Sequence, residues 1–255
     1  MNLGLNDRVV FVTGGSSGIG RATAIAFGRE GARVALSYRE NREAAEAVAA
    51  EISPDGERSL VVRLDLGDKA SIEAATRTIV ERWGRIDVLV NNAFPQSEYG
   101  LGHSPPFENL PDEHWHRVTR HALDGLFHTT QAVLPGMRSR EWGRIVLVSS
   151  EVARIGLPGL AAYGTAKAAL TGLCGSLARE LGPAGILVNV VMPGLVTTDK
   201  IMRETPENIL DIMRRRSASR RLSTPDDVAA AILFLASGAN GNITGEVLHV
   251  SGGIH

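Results

Sequence analysis

Tyr163 and Lys167 stand four residues apart in the segment Tyr163-Gly164-Thr165-Ala166-Lys167, at the start of a strong helical pattern. That spacing puts a phenol and an ammonium group on one helix face. A phenol with a pKa near 10 is almost fully protonated at neutral pH; a neighbouring cation stabilises its phenolate, so the oxygen can give or take a proton. The same pair is common on solvated helices, and its meaning depends on what lies nearby. A second cluster is Thr13-Gly14-Gly15-Ser16-Ser17-Gly18-Ile19-Gly20, which follows a β-rich run and opens into a helical one. Glycines in that context let the backbone turn sharply and bring N–H groups and the positive end of a helix against a pyrophosphate.

The end of the second β-rich run selects between dinucleotides. An acidic side chain there holds a ribose 2′-hydroxyl, whereas a basic one accepts a 2′-phosphate. Leu36-Ser37-Tyr38-Arg39 has no carboxylate before Glu40, and Arg39 can make a forked pair with phosphate, so NADP(H) is the expected cofactor. Tyr38 either stacks on the adenine or covers the sheet edge. Asp65-Leu66, closing the third run, either places a carboxylate near the adenine amino group or caps the next helix.

The elements that must position these groups alternate from end to end. Strands are expected at Arg8–Thr13, Arg33–Ser37, Ser59–Leu64, Ile86–Val90, Gly143–Ser149, Ile186–Val191 and Glu246–Val250. Helices are expected at Ile19–Glu30, Arg42–Ile52, Lys69–Arg82, Glu113–Arg138, Ala161–Leu181 and Pro225–Ser237, the last with Thr224 as N-cap. This is the pattern of one α/β domain over residues 1–255, with a doubly wound, seven-stranded parallel sheet of Rossmann type and helices on both faces. Two stretches break the alternation: Phe94–Pro111, with four prolines, and the arginine-rich Leu195–Leu222. They read as a substrate loop and a lid.

Charge narrows the partners. Lysine plus arginine (27) nearly balance aspartate plus glutamate (28), so neither nucleic acid nor a membrane surface is expected as partner. The single cysteine, Cys174, lies in an apolar run; it reads as core filling, excludes disulfide frameworks and cysteine metal clusters, and fits a reducing, cytoplasmic setting. No metal site is expected.

The glycine loop, Asn91-Asn92-Ala93, Ser149-Ser150 after a strand, the Tyr163–Lys167 segment and Pro193-Gly194 occur in that order over essentially the whole chain. In this combination the sequence resembles the short-chain dehydrogenase/reductase family, especially its 3-oxoacyl-acyl-carrier-protein reductases and polyketide ketoreductases. The resemblance implies that Ser150, thirteen residues before Tyr163, polarises a substrate carbonyl. Tyr163 would be the general acid in reduction, and Lys167 would lower its pKa and hold the nicotinamide ribose. Gly14, Ser16, Ser17, Gly18, Ile19 and Gly20 would cradle the cofactor, with Asn92 and Ala93 beside it. Pro193, Gly194 and Thr198 would pack on the nicotinamide, whose carboxamide the Val196 backbone would meet. Gly252-Gly253, after Thr244-Gly245, resembles the family's ending. Phe94, Ser150, Val152, Tyr163 and Gly194 would wall the substrate pocket. A homotetramer or dimer through the two longest helices is implied as well.

Two departures stand out. The family's helix asparagine falls on Ala122, so a relay behind Lys167 would rest on a main-chain carbonyl at a helix kink. His121, next door, is either a proton relay or an ordinary surface or core histidine. Phe94 stands where the family usually has glycine, and its ring would narrow or redirect the substrate pocket; Tyr99, His103 and Phe107 make the following loop aromatic, which either suits a bulky or ring-bearing substrate or is a surface excursion stiffened by proline. Met202, Ile209, Ile212 and Met213 form an apolar stripe in the lid, and Arg214-Arg215-Arg216 with Arg220-Arg221 either meet an acidic carrier or are solvated. The expected activity is NADPH-dependent reduction of a small-molecule carbonyl, cyclic or polyketide-derived first and a β-ketoacyl thioester second. A cofactor-binding subunit of a hetero-oligomer is the alternative of another class. Enoyl reduction is disfavoured, because Leu160 stands where enoyl-reducing relatives carry tyrosine.

Overall fold

Short runs of valine, isoleucine and leucine become strands, and segments of helical period cross back between them. The computed structural model describes residues 2–95 and 104–254. In chain order the elements are β1 (Val9–Val12), α1 (Gly18–Arg29), β2 (Arg33–Tyr38), α2 (Arg42–Ile52), β3 (Ser59–Arg63), α3 (Lys69–Trp83), β4 (Val88–Asn91), α4 (Asp112–Ser139), β5 (Gly143–Val148), α5 (Val152–Ile155), α6 (Ala161–Leu181), β6 (Ile186–Pro193), α7 (Asp199–Glu204), α8 (Glu207–Arg216), α9 (Pro225–Leu235) and β7 (Val247–Val250).

The strands form one parallel sheet in the order β3-β2-β1-β4-β5-β6-β7. The direction of winding reverses between β1 and β4, and a crevice opens there beyond the carboxyl ends of the strands. The glycine loop leaves β1 and Asn91-Asn92-Ala93 leaves β4, so both motifs meet at that reversal. Because helices cover both faces, the central strands are apolar throughout instead of alternating. Val10, Val12, Leu36 and Val90 pack toward Phe27 of α1 and Ile232 of α9, while Phe11, Leu89 and Leu147 pack toward Ile79 of α3, Leu126 of α4 and Leu170 of α6. Cys174 is fully enclosed in this second layer, donates to the Val188 carbonyl at 3.3 Å, and burial pushes its thiol up to about 11.

Thr224 does cap α9, in a reciprocal pair with Asp227 that satisfies two backbone N–H groups. The cap expected at Asp65 lies three residues later: Asp68 accepts from Ala70 N, whereas Asp65 accepts from Gly67 N and fixes the turn before α3. The segment expected as a lid contains two helices, α7 and α8. Its buried anchor is Leu210, while Met202, Ile209 and Ile212 of the expected stripe are exposed. Tyr99 and His103 lie outside the described residues. No helix among the described residues is long and apolar enough to cross a membrane.

Candidate active site

The glycine loop is held by hydrogen bonds from both neighbouring strands. Gly14 N donates to Ser37 Oγ at 3.0 Å and Gly15 N to Ser37 O at 3.0 Å. From the other side, Asn92 Nδ2 reaches Thr13 O at 3.0 Å and Gly14 O at 3.2 Å, and Thr13 Oγ1 accepts from the N–H groups of Asn92 and Ala93. Gly14 has φ +66°, which favours glycine. At Gly20 the need is closeness: a Cβ would lie 2.1 Å from Gly14 O. The first turn of α1 therefore abuts the loop, and Ser17 precedes the helix without a side-chain cap, leaving the N–H groups of the first turn directed at the crevice.

A groove of about 440 Å³ runs along this edge. Its near wall is the glycine loop with Ser16, Ser17 and Ile19; its far wall is Asp65, Leu66 and Gly67; Tyr38, Arg39 and Asn41 close one end and Asn92, Ala93 and Phe94 the other. The glycine cradle and the uncapped helix start that line it fit a dinucleotide. Tyr38 lines the groove from a strand paired on both sides, so it covers no sheet edge. Arg39 contacts Glu40 at 2.5 Å. His121 is exposed and lines this groove next to Gly67, away from Lys167. Thr198 caps α7 and brings its methyl toward Gly18, so the lid starts against the cofactor loop. Val196 is buried and bridged to Ser223, while Gly194 N donates to Val250 O at 3.1 Å.

Ser150 follows β5 directly, and Tyr163 and Lys167 occupy the first turns of α6. The Ser150 hydroxyl neighbours the Tyr163 phenol and favours its charged form, and it accepts from Val152 N at 3.3 Å. Ser149, one residue earlier and buried, donates to the Lys167 carbonyl at 2.8 Å and so pins α6 to the end of β5. Lys167 Nζ donates to Val148 O at 2.7 Å and lies 6.0 Å from the Tyr163 ring centroid. Behind it is a cavity of about 20 Å³, lined by Leu66, Asn91, Ala93, Phe94, Ala122, Leu126, Val148, Lys167 and Leu170; that is room for one water molecule.

Burial dominates the electrostatics of this pair. It pushes the Tyr163 phenol up, against the opposing hydrogen bond from Ser150, and pulls the Lys167 ammonium down to about 7. The sequence expectation was a phenol lowered by its cationic neighbour. Without a bound cofactor, desolvation outweighs that attraction because both groups sit in apolar surroundings. The arrangement can still relay a proton: a neutral phenol beside a hydroxyl, with an amine of near-neutral pKa behind it.

Two supporting groups, Asn91 and Glu151, were not among the expected site residues. Asn91 is buried at the end of β4, where it accepts from Thr129 Oγ1 at 2.8 Å and donates to Thr130 Oγ1 at 3.2 Å, tying β4 to α4 beneath the cavity. Glu151, buried immediately after Ser150, meets His249 Nδ1 at 2.5 Å and Arg154 Nε at 3.2 Å, and its N–H donates to Pro193 O at 2.9 Å. A carboxylate directly after a strand and beside an active hydroxyl was the available hint. Phe107, for which the loop left a pocket and a surface reading open, is exposed and packs edge-on against Trp115 at 6.5 Å.

The profile of the family described as "Enoyl-(Acyl carrier protein) reductase" matches residues 14–255, taking in the loop, the Ser150–Tyr163–Lys167 set and the Pro193-Gly194 turn. The chain belongs to the short-chain dehydrogenase/reductase family. It is an oxidoreductase, and the family's cofactor is a nicotinamide dinucleotide. The (2S)-[(R)-hydroxy(phenyl)methyl]succinyl-CoA dehydrogenase subunit BbsD of Thauera aromatica is 38% identical over 251 residues, 98% of each chain. The 3-oxoacyl-[acyl-carrier-protein] reductase FabG of Staphylococcus aureus is 35% identical over 244 residues, 96% of each. Among solved structures, a 7α-hydroxysteroid dehydrogenase complexed with NADH and 7-oxo glycochenodeoxycholic acid superimposes with a TM-score of 0.90 at 33% identity, covering 99% of this chain and 96% of that one.

Proposed function

We propose that this short-chain dehydrogenase/reductase is an NADPH-dependent ketoreductase that reduces a small-molecule carbonyl to a secondary alcohol. The observation that carries the reading is the Ser150–Tyr163–Lys167 set at one end of a dinucleotide groove whose other end is lined by Arg39. The residues that would hold the cofactor are the loop Gly14–Gly20, Tyr38 and Arg39 at the adenosine end, and Lys167 with Val196 and Thr198 at the nicotinamide end. Bound there, the nicotinamide supplies the hydride. Ser150 Oγ donates a hydrogen bond to the substrate oxygen and polarises the carbonyl. Tyr163 Oη gives that oxygen its proton, and Lys167 resupplies the phenolate from behind.

A 3-oxoacyl thioester is the favoured substrate, since two relatives are named for acyl-carrier or acyl-CoA chemistry. A cyclic or polyketide-derived ketone is the second reading, supported by the cyclic ketone bound in the steroid dehydrogenase. Exposed Phe127 on α4 favours assembly through α4 and α6 as a homotetramer or dimer. The BbsD name includes "subunit", and Ala122 supplies no amide, so a hetero-oligomeric role is the competing proposal. Purified protein is offered NADPH with β-ketoacyl thioesters and cyclic ketones. Turnover that Tyr163→Phe lowers by about 100-fold or more supports the reading; equal rates in the two proteins overturn it. Turnover that appears only in Ala122→Asn or with an added partner favours the subunit role.

A further inference from the structure

Phe94, immediately after Asn91-Asn92-Ala93, sits between Tyr163 and Lys167. Its ring meets the Tyr163 ring edge-to-face, with centroids 5.0 Å apart and planes at 70°. Lys167 Nζ lies 4.5 Å from the Phe94 centroid, closer than the 6.0 Å to the ring of Tyr163. Phe94 is also a wall shared by the cofactor groove and the small cavity behind Lys167. The cavity otherwise offers the ammonium little. Leu66, Ala122, Leu126 and Leu170 are apolar, the Asn91 amide is engaged by Thr129 and Thr130, and Val148 provides a single carbonyl.

A buried ammonium with one carbonyl acceptor needs further stabilisation to stay charged, and the negative face of an aromatic ring provides it without a hydrogen bond. We infer that Phe94 is a positioning residue whose ring holds the Lys167 ammonium in its charged form beside Tyr163, where α4 presents only Ala122. The inference rests on the reading of Tyr163 and Lys167 as the proton-handling pair. Among the described residues around Lys167, Tyr163 of α6 is the titratable one. β4 contributes Asn91, β5 Val148, α4 Ala122 and Leu126, and the turn before α3 Leu66, none of which changes charge.

Replacement by leucine keeps most of the volume and removes the π face; replacement by tyrosine keeps the face. Lys69, Lys167 and Lys200 are the three lysines of the chain, so isotope-labelled lysine gives three resonances, and Lys167→Met assigns the one of interest. Followed against pH in the cofactor-free protein, the Lys167 titration is expected to move down by roughly 0.5–1.5 pH units in Phe94→Leu and by under about 0.3 in Phe94→Tyr. The alkaline limb of kcat for NADPH-dependent reduction should follow the same order. A ring that only fills space predicts identical titrations in wild type, Phe94→Leu and Phe94→Tyr, and that result overturns the inference. If Phe94→Leu does not fold, Phe94→Met, also without a π face, takes its place. A shifted Lys167 titration in a protein that turns over no carbonyl leaves this inference standing and removes the functional reading instead.

Discussion

Replacing Lys167 with methionine should inactivate the enzyme and stabilise the cofactor-free protein. The ammonium loses its charge at about 7 instead of 10.5 because burial strips it of water. A gap of about 3.5 pH units at 1.36 kcal/mol each is a ceiling of about 5 kcal/mol on the cost of keeping it charged. Relaxation around a buried ion and the loss of the donor to Val148 O together reduce the expected gain to about 2 kcal/mol. Methionine is long and flexible enough to fill the space. In a chain of this size that gain corresponds to roughly 4–8 °C in Tm. The pH dependence has a fixed sign. The unfolded lysine keeps its proton up to about 10.5 while the folded one releases it near 7, so the unfolded state binds more protons between those values. Wild-type stability therefore rises with pH relative to the variant: the gap is full below about pH 7, narrows by about 1.4 kcal/mol per pH unit above it, and a gain of about 2 kcal/mol is gone near pH 8.5. Thermal melts of both proteins without cofactor, from about pH 6 to pH 10, measure this directly. A variant that melts at or below wild type at neutral pH, or a gap that ignores pH, would refute the burial argument.

Arg39→Ala should raise the KM for NADPH by about 10–100-fold and leave NADH within about twofold, the worth of one charge-assisted phosphate contact; equal effects on both cofactors would mean that the guanidinium does not read the 2′-phosphate. In Gly20→Ala the new methyl would sit 2.1 Å from Gly14 O, so a loss of about 2–3 kcal/mol in stability is expected, with weakened quenching of protein fluorescence by NADPH. Glu151→Ala removes the buried carboxylate that meets the part-exposed His249 and Arg154, and denaturant melts should show a loss of about 1–2 kcal/mol, against little change for Glu40→Ala on the surface.

The features that were legible in the sequence are local or periodic. A glycine loop between a strand and a helix is contiguous, Tyr163 and Lys167 are one helical turn apart, and strands buried on both faces are uninterrupted apolar runs. What was not legible depends on packing across the sheet. Burial of the Tyr163–Lys167 pair reversed the expected shift of the phenol, and no residue count reports burial. The place of Phe94 over Lys167 follows from how the chain leaves β4, and the Glu151–His249 contact joins residues 98 apart. Met202, Ile209, Ile212 and Met213 had helical spacing in the sequence, but which residue anchors the segment was not legible: Leu210 is the buried one of α8, while Ile209 and Ile212 are exposed.

The Glu151–His249 contact also bears on the order in which the site is completed during synthesis. Ser150, Tyr163 and Lys167 leave the ribosome well before His249, yet the carboxylate behind Ser150 has its imidazole partner only once β7 has been made and has paired with β6. Until then a growing chain would carry a carboxylate without its imidazole, one strand in from the open edge of β6. Nascent chains halted ahead of β7 should therefore lack a finished serine pocket even though every residue named in the proton transfer has already been added.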